Sequence, residues 1–159
     1  MNKIFYTINN NITIIIIQLI LFTDYITKSF ILKNFKSYHK IKILNILNII
    51  YVKNYGFIFG WYSYKKIWNY MFINLINIIF IIIMIILIYN LFLKKNLKKY
   101  YEISFIISGF IGNTIDRIKY GYIIDFFDLH YENLHFPTFN ISDISIIFGC
   151  ILLFFKNNK

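Results

Sequence analysis

The sequence predicts an all-α membrane protein, a bundle of four membrane-spanning helices. Two observations predict it. The chain is 58% hydrophobic and only 15% charged over 159 residues, against roughly 45 to 50% apolar and about 25% charged in a soluble domain. Its apolar residues also gather into four segments, at about 11–31, 67–93, 100–115 and 139–155. Each is near the length of about 20 residues that a spanning helix needs. No internal repeat and no Gly/Ser linker divides the chain, so one domain covering 1–159 is expected.

At the N-terminus, Lys3 followed by the apolar run from Ile12 to Phe22 resembles the start of a signal sequence. No small-residue cleavage site follows and Asp24 interrupts the run, so an uncleaved span fits better. The second is the most continuous, with Ile76 to Leu93 broken only by Asn77 and Asn90. The third and fourth are shorter and carry polar residues near one end. A long connection, Leu32–Lys66, follows the first span, a short one, Lys94–Lys99, the second, and a medium one, Asp116–Thr138, the third. The last holds the sole proline, Pro137.

Lys/Arg asymmetry sets orientation. The short connection carries Lys94, Lys95, Lys98 and Lys99, and four spans put it on the same side as Lys3, Lys156 and Lys159. Both termini are therefore expected in the cytoplasm. The long connection is also rich in lysine, but long loops translocate with less regard to charge. Ile, Asn, Lys, Phe and Tyr are inflated and alanine is absent, as an AT-rich genome produces, so lysine counts carry little weight. The net charge of +10 is spread over segment ends and connections, where lysines meet membrane lipids, rather than clustered as a nucleic-acid footprint. No nucleic-acid partner is expected. The lone Cys150 excludes an intrachain disulfide and reads as packing filler.

Only seven residues are acidic, and Asp24, Asp116, Asp125 and Asp143 lie in or beside apolar segments. An ionisable side chain there costs roughly 2.5 to 3.5 kcal/mol, so such positions read as functional. Four spans bring the end of the first, the end of the third and the start of the fourth to one membrane face. That gathers Asp24, Lys28, Asn113, Asp116, Arg117, Asn140 and Asp143, and the outer connections can add Asn54 and Asp125. Asp24 and Lys28 stand four apart on one helical face and can form an ion pair. Asn113 and Asp116, like Asn140 and Asp143, are three apart and can point inward together. Arg117 can neutralise a carboxylate with its planar fork. For Asp24, Lys28, Asp116 and Arg117, glue between helices is an equally good reading.

Asp125 and Asp143 lack an adjacent cation. Two carboxylates brought close share a proton, so one can activate water while the other donates to a carbonyl oxygen or leaving group. That chemistry is peptide hydrolysis without metal. Asp128 competes with Asp125 but reads more simply as a solvated loop carboxylate. His130, Glu132 and His135 do not match the helical zinc spacing. No phosphate loop and no serine elbow are present.

Five stretches in order, Asp24-Tyr-Ile-Thr27-Lys28, Asn54-Tyr-Gly56-Phe-Ile-Phe59-Gly60, Gly109-Phe-Ile-Gly112-Asn113-Thr-Ile-Asp116-Arg117, Gly121-Tyr-Ile-Ile-Asp125-Phe126-Phe-Asp128 and Phe139-Asn140-Ile-Ser-Asp143 with Gly149 beyond, resemble the lipoprotein signal peptidases, or signal peptidase II. The resemblance implies a membrane aspartyl endopeptidase with Asp125 and Asp143 as catalytic dyad. It implies that Asn54, Asn113, Arg117 and Asn140 position substrate and dyad, with Asp24, Lys28 and Asp116 in support. It also implies a diacylglyceryl-prolipoprotein substrate cut before the lipidated cysteine, no metal or other cofactor, and inhibition by globomycin. The architecture implied is the four-helix bundle plus a small extracytoplasmic β-rich cradle supplied by Leu32–Lys66, in the bacterial cytoplasmic membrane, with the active site at its outer face. Tyr51–Phe59 has the β-branched and aromatic content of a strand. Phe57, Ile58, Ser108 and Phe110 stand where the family usually has smaller residues, and are expected to narrow the site.

A different class remains beside it, a small ion- or proton-translocating subunit relaying protons through intramembrane carboxylates. Relay residues would spread through the membrane depth, whereas these gather at one face. An inactive relative that only binds lipid or peptide is a third reading, which a cleavage assay separates.

Overall fold

The computed structural model describes residues 2–55 and 100–157, together with Leu75, Ile78, Ile79, Ile82, Ile86 and Tyr89. Helix α1 runs Asn2–Asn34, strands β1 and β2 run Lys40–Leu44 and Leu47–Asn54, helix α2 runs Tyr100–Tyr120, strands β3 and β4 run Ile123–Tyr131 and Leu134–His135, and helix α3 runs Ile141–Asn157. The six isolated residues between β2 and α2 are helical and exposed. The rest of the 67–93 segment, and Gly56 to Gly60, lie outside the described residues.

A sheet accompanies the helices, as the resemblance implied. The four strands form one antiparallel sheet in the order β1-β2-β3-β4. Among the described residues, β1 and β2 come from the Leu32–Lys66 connection, and β2 ends at Asn54. The other half comes from the Asp116–Thr138 connection, where the run Ile123–Tyr131 is apolar and aromatic enough to pair between β2 and β4. A two-residue turn joins Leu44 to Leu47, and the Ile46 carbonyl accepts from the His130 N–H at 2.9 Å, fastening the hairpin tip to β3. A bulge between Ile49 and Val52 lets the far end of β2 pair Val52 with Asp125.

Helix α1 is longer than expected at both ends, and Ile12–Asn34 is apolar enough to cross a membrane by length and composition. Ile15, Leu19, Phe22, Ile26 and Phe30 are exposed along it, while Asp24 and Lys28 are buried. That inverted distribution suits a hydrocarbon surrounding. Helix α2 continues beyond Ile115 to Tyr120 and stops at Gly121, whose φ of 78° is the left-handed conformation of a helix C-cap. The Gly121 N–H still reaches the Arg117 carbonyl at 3.0 Å before the chain turns into β3.

Small residues bring α2 and α3 together. A Cβ on Gly149 would lie 2.6 Å from the Glu102 carbonyl oxygen, and one on Gly109 would strike that of Ser142. Ser145 donates to the Phe105 carbonyl at 2.6 Å and its hydroxyl lies 3.3 Å from that of Ser108. Ser108 therefore sits in this seam. Near the opposite end of the two helices Lys156 pairs with the buried Glu102. Cys150, expected to be filler, is exposed. Between sheet and helices, Ile31, Tyr51, Ile124 and Phe126 form a buried apolar cluster among the described residues.

Candidate active site

Three helices and the sheet meet where α1 approaches the start of α3. Lys28 is the hub of the buried charges. Its ammonium lies 2.7 Å from Asp24, 2.9 Å from Asp116 and 3.1 Å from the Asn113 side-chain oxygen. An ammonium has three hydrogens and no acceptor capacity, so this set uses all of it. The expected Asp24–Lys28 pair forms, and Lys28 also holds Asp116. Both carboxylates have second duties. Asp24 accepts the Ser142 N–H at 3.0 Å, satisfying an otherwise unpaired donor in the first turn of α3. Asp116 accepts the Ile124 N–H at 3.2 Å, tying the end of α2 to the strand residue just before Asp125.

Asn140 and Asp143 open α3 as a reciprocal cap. The Asp143 N–H donates to the Asn140 side-chain oxygen at 2.9 Å, and the Asn140 N–H donates to the Asp143 carboxylate at 3.1 Å. The N-x-x-D spacing is a capping box in which Asp stands where Glu or Gln is usual. That signal was available in the sequence, where the pair was read only as facing inward.

The same asparagine bridges the two carboxylates. Its amide nitrogen donates to Asp125 Oδ1 at 2.7 Å and lies 3.1 Å from Asn113 Oδ1. Asp125 Oδ2 accepts from Asn54 at 2.9 Å, and Asp143 Oδ1 accepts from Asn113 at 2.8 Å. Asn54 reaches Asp125 because the bulged register of β2 sets it on the strand beside β3. Arg117 lies within electrostatic reach of Asp143, Asp125 and Asp116. All nine sequence-selected residues thus fall in one connected cluster.

Asp125 is 1% exposed. Burial, and next the negative charge of Asp143, push its carboxyl up to about 7, against the pull of hydrogen bonds from Asn54 and Asn140. A carboxyl titrating near neutrality can hold a proton or release it, as acid–base catalysis requires. Asp143, on a separate element, faces it across a single asparagine. Such a pair offers one group that can activate a water and one that can protonate a leaving group.

Asp128 departs from its expectation as a solvated loop carboxylate. It is 4% exposed on β3 and bonded from three other strands. His135 Nδ1 on β4 lies at 2.6 Å, Asn48 on β2 at 2.9 Å and Lys40 on β1 at 3.4 Å. Burial alone would raise its pKa, but these three partners together hold it below the usual carboxylate range. Nothing local in the sequence announces this, because every partner comes from another strand.

A family model described as Signal peptidase (SPase) II matches residues 16–158. The lipoprotein signal peptidase of Buchnera aphidicola subsp. Schizaphis graminum is 42% identical over 157 residues, 99% of this chain and 97% of the relative. That of Thermodesulfovibrio yellowstonii is 42% identical over 147 residues, 92% of this chain and 95% of its own. A bacterial membrane enzyme solved by the in meso method at 1.9 Å superposes with a TM-score of 0.78 at 31% identity, covering 94% of each chain. A second, at 2.3 Å, gives 0.77 at 33% identity over 92% of this chain and 87% of its own. With likeness running through helices and sheet alike, the chain belongs to the signal peptidase II family, aspartic-type endopeptidases of bacterial membranes.

Proposed function

We propose that Asp125 and Asp143 are the catalytic dyad with which this enzyme cleaves its substrate. The reaction is the removal of signal peptides from prolipoproteins. The observation that carries the dyad is Asn140, which bonds Asp125 through its side chain and Asp143 through its backbone. One carboxyl takes a proton from water as that water attacks the scissile carbonyl, and the other gives a proton to the departing amine. Which of the two begins protonated is a property of the pair.

Asn54, Asn113 and Asn140 hold the carboxylates by amide hydrogen bonds, and Arg117 supplies positive charge beside them to orient the substrate backbone. Asp24, Lys28 and Asp116 support this set by joining α1, α2, β3 and α3 at one point. The substrate is a diacylglyceryl-modified precursor, cut before the lipidated cysteine, and globomycin blocks the site. Exposed Ile and Phe side chains along α1 and α3 support a lipid-embedded bundle. One domain over 1–159 then spans the cytoplasmic membrane four times with both termini in the cytoplasm. The sheet and dyad lie at the outer face, where the lipid anchor of a precursor resides.

The test is depletion of this chain in cells that depend on it. Accumulation of the uncleaved diacylglyceryl precursor is the expected result, and normal maturation contradicts the reading.

A further inference from the structure

Asp128 and His135 belong to none of the groups assigned above, yet they join the two stretches of chain that carry Asp125 and lead to Asp143. Asp125 comes from β3. Asp143 comes from α3, which is reached through residues 134–140. That connection lies along β3 itself: Tyr131 pairs with Leu134 and His130 with His135, the Phe136 N–H donates to the Leu129 carbonyl at 2.8 Å, and Phe139 exchanges backbone bonds with Phe127 at 2.9 and 3.1 Å.

Between these contacts the register shifts by one residue, at Pro137 and Thr138. Proline lacks an N–H and cannot pair there. β4 is only two residues long and its backbone pairing is interrupted at Pro137, so the side-chain bond from His135 Nδ1 to Asp128 Oδ1, 2.6 Å, adds a lateral tie where the ladder is short. Since a carboxylate only accepts, Nδ1 carries the hydrogen. His130 stacks on His135 with ring centroids 5.1 Å apart, so the tie has a fixed ring orientation. The groups facing Asp128 are His135 from β4, Asn48 from β2 and Lys40 from β1.

We propose that Asp128 and His135 are positioning residues for the dyad, fixing the 134–140 segment on β3 so that Asn140 and Asp143 arrive in register with Asp125. The proposal rests on Asp125 and Asp143 being the dyad. The tie acts through backbone placement. Asn140 lies five residues beyond His135, and its 2.7 Å bond to Asp125 requires the segment to end in one place. A displacement on the order of 1 Å at a reacting group can cost about 100-fold in rate.

The experiment uses the full chain in lipid with a synthetic diacylglyceryl precursor peptide. The His135 side chain is 44% exposed, so substitution there leaves the core intact. His135→Ala is expected to lower kcat by roughly tenfold or more while KM stays within about twofold. It should also draw the two apparent pKa values of the kcat profile closer together, because separating the carboxyls weakens their mutual repulsion. His135→Asn, which keeps a donor at the same position, should restore most of the rate. Lys40→Ala, which removes another partner of Asp128 but leaves the segment tied, should change neither quantity. A wild-type rate and profile for His135→Ala beside an inactive Asp125→Asn overturns the positioning role alone. An Asp125→Asn enzyme that still cleaves overturns the dyad and the positioning role with it.

Discussion

Lys28 on α1 reaches Asn113 on α2 at 3.1 Å, and this bond decides which end of the Asn113 amide faces Asp143. With its oxygen taken by Lys28 and Asn140, Asn113 presents nitrogen to Asp143 at 2.8 Å. A helix-to-helix charge cluster thereby sets the donor beside the Asp143 carboxyl.

Lys28→Met should accordingly do two kinds of damage. It leaves Asp24 and Asp116 buried without their cation, which costs about 3 to 5 kcal/mol. It also frees the Asn113 amide to turn. Adding Asp24→Asn and Asp116→Asn to the same chain removes the uncompensated charge and should recover part of the thermal stability. Lys28→Arg should not substitute, because a planar fork cannot reproduce three divergent contacts. Thermal unfolding in detergent measures all three; a fully stable Lys28→Met protein would contradict the hub.

Asp125 ties stability to pH in the opposite sense from a salt-bridged carboxylate. Burial and the charge of Asp143 push its folded pKa up to about 7, above the ordinary carboxylate range. Below the unfolded value both states are protonated and the group contributes nothing. As pH rises through the window to about 7, the folded state must give up a proton it holds more tightly, and stability falls. Asp125→Asn should therefore melt on the order of a few degrees above wild type at pH 8 and near it at pH 4. A melting difference that does not grow with pH would show that Asp125 is not held protonated.

Gly112 marks a close approach. A Cβ there would lie 2.8 Å from Asp24 Oδ2 and would also strike the Ser142 hydroxyl. Gly112→Ala should cost roughly 1 to 3 kcal/mol and displace Asp24 from the start of α3. Ser142→Ala in the same chain removes one of the two obstructions and should return part of that loss. Denaturation of the single and double variants tests it, and an additive loss would contradict the contact.

What was legible in the sequence was what the membrane makes expensive. Asp24, Lys28, Asn113, Asp116, Asn140 and Asp143 stood out because each interrupts an apolar run, and helical spacing paired Asp24 with Lys28 correctly. The sheet was harder to see. Ile123–Tyr131 carries apolar residues on both faces, so no alternation distinguishes it from a connection. Its neighbours, β2 and β4, lie on opposite sides of it in the chain, and register between distant segments leaves no local trace. Asp128 was misjudged for that reason: a carboxylate three residues beyond Asp125 looks solvated until Lys40, Asn48 and His135 are brought to it. Asn140 and Asp143 were paired by their spacing of three, but their capping geometry was missed, although that spacing was in view.

The most direct measurement is cleavage of a diacylglyceryl prolipoprotein by Asp125→Asn and by Asp143→Asn, each confirmed as inserted in the membrane. Both should abolish processing, because neither carboxyl alone can activate the water and protonate the leaving group. Normal processing by either variant would contradict the dyad.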